Sequence, residues 1–221
     1  MYRSYQTFYG EAIIRQFIEN LLKRKEQVEQ IRQAIKRRPF ELLKKAEKAL
    51  EKAREACSSK DVDMFEGSIV LFANYSRAAA DASTAALMMW LLDCIEHALD
   101  SLGISSILHA RPEVEKLGLL LSDTSFKELR KIAVLLGLGE AEERLKSLER
   151  KYERLREHPC WRLRNALAHG WPYQISIEYC SVTIPERSVT LGDMEGFLEL
   201  LNEYLKEVAA LINNACSKTR G

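Results

Sequence analysis

Several common signatures are missing from this sequence. Its five cysteines, Cys57, Cys94, Cys160, Cys180 and Cys216, are odd in number, widely scattered and never spaced as a CxxC pair. That argues against a disulfide framework and against a zinc site. They read as free, mostly buried thiols of a protein in a reducing compartment. Neither sign of charge is in excess: 33 Lys and Arg stand against 32 Asp and Glu, a net charge of +1. A nucleic-acid site would therefore have to come from local clustering, because the bulk charge calls for no polyanion. The longest uncharged apolar run, Ala82 to Leu92, is too short to span a bilayer and is flanked by Asp81 and Asp93. The segment Met1-Tyr-Arg-Ser-Tyr-Gln lacks the apolar stretch of a signal peptide. A soluble, cytoplasmic protein with no membrane association is expected. No Walker A, dinucleotide-binding glycine pattern, HExxH or GxSxG is present, so no cofactor and no metal are expected.

Helical periodicity dominates what is there. From about Tyr5 to Arg38, Ile14, Leu21, Val28 and Ile35 recur every seven residues, with Phe17 and Ile31 between them. This is a narrow apolar stripe on a charged helix, interrupted by Arg24. It serves equally as a dimerisation or partner-binding seam, or as a face packed on its own domain. Pro39 is expected to end this helix and to open a second one running to about Cys57, giving an N-terminal helical hairpin over residues 1–60. Ser58-Ser-Lys-Asp-Val-Asp63 is a polar break and the expected domain boundary. Residues 61–215 then read as a helical bundle. Its first helix, about Asp63 to Leu102, is rich in alanine and then bulky at Leu87-Met-Met-Trp-Leu-Leu92. Apolar on nearly all sides, it should be the central buried helix, stopped at Gly103. The charges on it, Arg77, Asp81, Asp93 and Glu96, must then face solvent, a partner or a site.

Weaker helices are expected at Pro112–Ser122 and Ser125–Leu136, then a strongly charged one from Glu140, broken or kinked at Pro159 and resuming through His169. Gly170-Trp-Pro172 is a strong helix stop. Beyond it Ile175, Ile177 and Tyr179 alternate with polar residues, and Val182 and Ile184 alternate in the opposite phase. This suggests a short β-hairpin or extended insertion, irregular near Cys180. Thr190 and Asp193 resemble a capping box. A last helix follows, with Phe197, Leu201, Tyr204, Leu205, Val208, Leu211 and Ile212 on one face.

The chemically pointed segment is Trp161-Arg-Leu-Arg-Asn-Ala-Leu-Ala-His-Gly170. Histidine takes and gives protons near neutral pH. Arginine is a permanent cation whose fork fits two phosphate oxygens. Cleavage of RNA by its own 2′-hydroxyl needs both abilities: proton transfer at the 2′- or 5′-oxygen, and a cation for the charge that builds on phosphorus. Asn165 and His169 are four residues apart and share a helix face. Arg164 lies roughly 140° around the helix from His169, so the two side chains point apart. Either Arg164 reaches round, or a second subunit completes the site. The bland alternative is a C-cap histidine and a surface arginine in an ion pair.

Arg164, Asn165 and His169 match, residue by residue, the motif of the HEPN superfamily: Arg, often followed by Asn, then His after four to six residues. The segment resembles a HEPN active site, and the long small-residue helix resembles the leading helix of that bundle. The resemblance covers Asp63 to Asn213, with only the short motif specific; residues 1–60 match no HEPN core element. It implies a metal-independent endoribonuclease that leaves a 2′,3′-cyclic phosphate and a 5′-hydroxyl. It also implies a homodimer with the two motifs in one composite cleft, and a toxin–antitoxin, phage-defence or CRISPR setting with an antitoxin protein as a partner. Some members have lost catalysis and only bind nucleotides or partners.

Around the motif, Arg162, Trp171 and Tyr173 are the candidate RNA-binding residues, whereas Trp161 reads as core. The basic stretch Arg144 to Arg164 is interleaved with glutamates, and its spacings favour intrahelical ion pairs over a phosphate track. His158 opens a His-Pro-Cys turn without a metal-ligand partner at suitable spacing. His97 and His109 read as ordinary structural or surface histidines.

Overall fold

The computed structural model describes residues 3–101, 126–135, 138–185 and 187–214. The expected Gly103 stop, the helix at Pro112–Ser122, His109 and Cys216 lie outside these residues. The fold is mainly helical, with a small antiparallel sheet before the last helix. Two compact units are formed, Met1–Ile35 and Lys36–Gly221.

The helix end expected at Pro39 is absent. Helix α1 runs from Arg3 to Ser59 with Pro39 inside it. A proline within a helix removes one hydrogen bond and crowds the carbonyl four residues back, at about 3 kcal/mol. It does not by itself reverse the chain. The true turn comes at Lys60, with φ +59°, where Asp61 N–H donates to the Ala56 carbonyl at 2.9 Å. Asp61 then caps α2, its Oδ1 accepting from Met64 N–H at 2.9 Å.

In the first unit Val28, a member of the sevenfold stripe, and Ile31, between its members, are 46% and 59% exposed. In the second unit the rest of α1 buries Leu42, Leu43, Ala46, Leu50, Ala53 and Ala56. It runs antiparallel to α2 (Val62–Ser101). Lys36 pairs with Asp93, and the Lys45 ammonium lies 5.6 Å from the Tyr75 ring centroid. Helix α2 is the central element, as its all-round apolar pattern predicts. Phe65, Ile69, Phe72, Ala79, Ala80, Leu87 and Trp90 are buried.

Helices α3 (Phe126–Leu135), α4 (Gly139–Glu157) and α5 (Pro159–Ala168) follow. Glutamates largely neutralise the basic run on α4. Lys146 pairs with Glu142 and Glu143 at 3.2 and 2.6 Å, Arg156 with Glu153 at 3.1 Å, and Arg130 of α3 with Glu149 at 3.3 Å. Then come strands β1 (Gln174–Ser176), β2 (Ser181–Ile184) and β3 (Arg187–Thr190), paired antiparallel in that order. Ile175 lies opposite Val182, and Val182 opposite Val189. The change of phase noted at Cys180 is the turn between β1 and β2, where Cys180 has φ +46°. The third strand carries one buried apolar residue, Val189, too few to give a period-two signal.

Helix α6 (Leu191–Asn214) closes the core. Its capping box is formed reciprocally: Thr190 N–H donates to Asp193 Oδ2 at 2.8 Å, and Asp193 N–H to Thr190 Oγ1 at 3.1 Å. Phe197 meets Phe72 edge-on, with ring centroids 6.5 Å apart. The buried Tyr204 hydroxyl is 2.7 Å from Ser83 Oγ.

The cysteines also differ from expectation. Cys94 and Cys160 are buried, but Cys57 and Cys180 form a disulfide with Cα atoms 5.7 Å apart. Their separation of 123 residues hid the pairing from any local pattern. The bridge ties the end of α1 to the turn that leads into β2.

Candidate functional site

The motif sits on α5, and local chemistry fixes both ends of that helix. At the start His158 is the N-cap, its Nδ1 accepting from Cys160 N–H at 3.3 Å, and Pro159 takes the first helical position. Burial pushes the His158 pKa below its ordinary value, with the nearby Asp193 carboxylate acting the other way. Burial also pushes the Cys160 thiol pKa upward.

At the far end His169 is the C-cap and donates its backbone N–H to the Asn165 carbonyl at 3.0 Å. Gly170 has φ +65°, and Trp171 N–H reaches back to the Ala166 carbonyl at 2.9 Å. This is a Schellman termination, and it requires left-handed backbone at Gly170. It spends only main-chain groups, so the His169 side chain is left exposed.

One face of α5 is core: Cys160, Trp161, Leu163 and Ala166 are buried. Trp161 is held by groups from two other helices. The Arg77 guanidinium lies 3.6 Å from its ring centroid. Asp81 holds Arg77 at 2.9 Å and accepts from the Tyr152 hydroxyl at 3.1 Å. Tyr152 meets Trp161 edge-on at 5.7 Å. Burial and the Asp81 carboxylate push the Tyr152 phenol up to about 12. The charges Arg77 and Asp81 on the central helix, expected to face solvent, a partner or a site, brace the helix that carries the motif.

The opposite face is open. Arg162, Ala168 and His169 are exposed, and Arg164 and Asn165 are half-buried. Among the described residues the Arg164 guanidinium has no ion-pair or hydrogen-bond partner, so the surface salt bridge weighed from sequence is not made there. The side chains do not all converge. Arg162, Asn165 and Trp171 line one cavity of about 270 Å³, together with Ile184 at the end of β2 and Pro185 after it. Arg164 and His169 are not among its lining residues. The rings of His169 and Trp171 are 6.0 Å apart and inclined by 31°.

Tyr173, the remaining candidate, does not line the cavity. Its hydroxyl donates to Glu66 Oε1 on α2, and that carboxylate raises the phenol pKa. Sequence reasoning passed over Ile184 and Pro185, because nothing local joins them to a motif some twenty residues earlier. The register of β2 brings them there. Among the described residues no three His, Cys, Asp or Glu side chains gather as a metal site. No described helix is long and apolar enough to cross a membrane.

Comparison with protein-family models, with curated proteins and with solved structures gives no match.

Proposed function

We propose that this chain is a HEPN-type endoribonuclease, working without metal as a homodimer with a composite active site. The observation that carries the reading is the Arg164-Asn165-x-x-x-His169 motif, on a braced helix whose termination leaves the His169 imidazole exposed and whose Arg164 cation has no partner among the described residues. Arg164 holds the scissile phosphate and the charge that grows on it. His169 transfers protons while the 2′-oxygen attacks phosphorus and the 5′-oxygen leaves. Asn165 positions the strand beside them. The products are a 2′,3′-cyclic phosphate and a 5′-hydroxyl. The divergence of Arg164 and His169 around α5 supports a dimer, since two facing copies bring both groups to one phosphate. A toxin or phage-defence role, with an antitoxin protein as partner, accompanies this reading. Purified protein is expected to cut single-stranded RNA equally well with and without EDTA, leaving cyclic phosphate ends visible by mass. Strict dependence on a divalent ion would overturn the mechanism.

A second reading is favoured by the exposure of Val28 and Ile31: a non-catalytic helical module that binds a helical partner through the Ile14–Ile35 stripe. It predicts that Val28→Lys or Leu21→Lys lowers partner binding at least tenfold in a pull-down titration, with no nuclease activity in the parent protein. Undiminished binding in both variants would remove it.

A further inference from the structure

The cavity beside the motif has a composition that the motif does not explain. One wall is the indole of Trp171, 47% exposed. Large aromatic rings usually bury their apolar area, but the Schellman bond from Trp171 N–H to Ala166 and the rigid Pro172 that follows hold this one at the surface. Ile184 and Pro185 supply a second apolar wall. Asn165 contributes an amide, with donor and acceptor side by side, and Arg162 a cation. At about 270 Å³ the space falls below the roughly 300–1,000 Å³ of sites that enclose a whole small ligand. It suits one flat ring system whose remainder stays outside.

We infer that the cavity of Arg162, Asn165, Trp171, Ile184 and Pro185 is a binding site for one unpaired RNA nucleobase, stacked on Trp171 and read at its edge by Asn165. This rests on the ribonuclease reading above and adds a base preference to it. Stacking is tolerant of sequence because every base has a π-face, whereas an amide paired with a base edge discriminates. Because the His169 ring lies next to Trp171, the base that fills the cavity belongs to a nucleotide flanking the cut. Arg162 meets that nucleotide's phosphate. The base must be unpaired, since a paired one presents neither face to the indole.

The test uses the His169→Ala protein, which is expected to cleave its ligand only slowly, and a fluorescein-labelled single-stranded RNA. A strand of equal length with abasic riboses serves as the control. The RNA is expected to bind at least tenfold more tightly than the abasic strand. Trp171→Ala in the same background should weaken RNA binding by about 5- to 150-fold and erase the difference between strands. Trp171→Phe should restore most of it, and Pro185→Glu, at an exposed position, should impair it without lowering the melting temperature. Equal binding of RNA and abasic strand, or unchanged binding by Trp171→Ala, overturns the inference. So does binding of nucleoside monophosphates as tight as that of the strand, which would make this a free-nucleotide site. A separate arm maps cut sites with otherwise wild-type Trp171→Ala protein, whose base preference should flatten. Cleavage with the preference intact sinks the nucleobase site and leaves the nuclease reading standing. Absence of cleavage by the wild type, with the binding differences preserved, does the reverse.

Discussion

Replacing His169 by alanine is expected to lower RNA cleavage by about 10²–10⁴-fold, the usual range for one positioned proton-transfer group, with no change in thermal stability. The second half follows from the structure. The imidazole is exposed, and the helix end is closed by main-chain bonds from His169 and Trp171, which alanine keeps. Arg164→Ala is expected to cost about 10²–10³-fold, as when one donor to a developing oxyanion is removed. Arg164→Lys should recover little, because a point charge does not replace a two-pronged fork. Specific activity should also fall on dilution as dimers dissociate. Cleavage by His169→Ala within threefold of wild type, in a preparation free of contaminating nuclease, would end the catalytic assignment. A variant that loses both activity and its melting transition would show instead that His169 is structural.

The second large effect concerns the Cys57–Cys180 disulfide. A bridge that closes a loop of 123 residues restricts the unfolded chain by about 5 kcal/mol on the chain-entropy scale. For a unit of this size that is a shift in melting temperature on the order of 10 °C. Dithiothreitol is therefore expected to lower the melting temperature by that amount. Cys57→Ser and Cys180→Ser should melt like the reduced protein and ignore the reductant. Alkylation under denaturing conditions should count three thiols before reduction and five after it. Both sulfurs lie against the Ile177 carbonyl, at 3.6 and 3.7 Å, so the reduced thiols have an acceptor ready and the turn should persist. Identical melting with and without reductant, despite a confirmed change in thiol count, would show that the bridge contributes nothing to stability.

The parts of the fold read well in advance share one property: they are encoded within a few residues of where they act. The stop at Gly170, the capping box of Thr190 and Asp193 and the buried face of α6 each depend on spacings of three or four. Trp161, which reads as core, is buried. The failures were non-local or over-weighted one residue. Pro39 reads as a terminus because proline disfavours helix interiors, yet α1 continues through it. Cys57 and Cys180 were read as free because no short spacing joins them.

By itself the sequence determined the helical character of this protein and the position of its central helix, and it supplied the motif on which the proposed chemistry rests, because periodicity, capping and side-chain type are local quantities. Only the tertiary structure decided the surroundings of the motif. It set Arg77, Asp81 and Tyr152 behind Trp161, brought Ile184 and Pro185 to face Asn165 and Trp171, and left Tyr173 on Glu66. Those neighbours come from different helices and a strand, and a sequence read along its length contains no term for the distance between them.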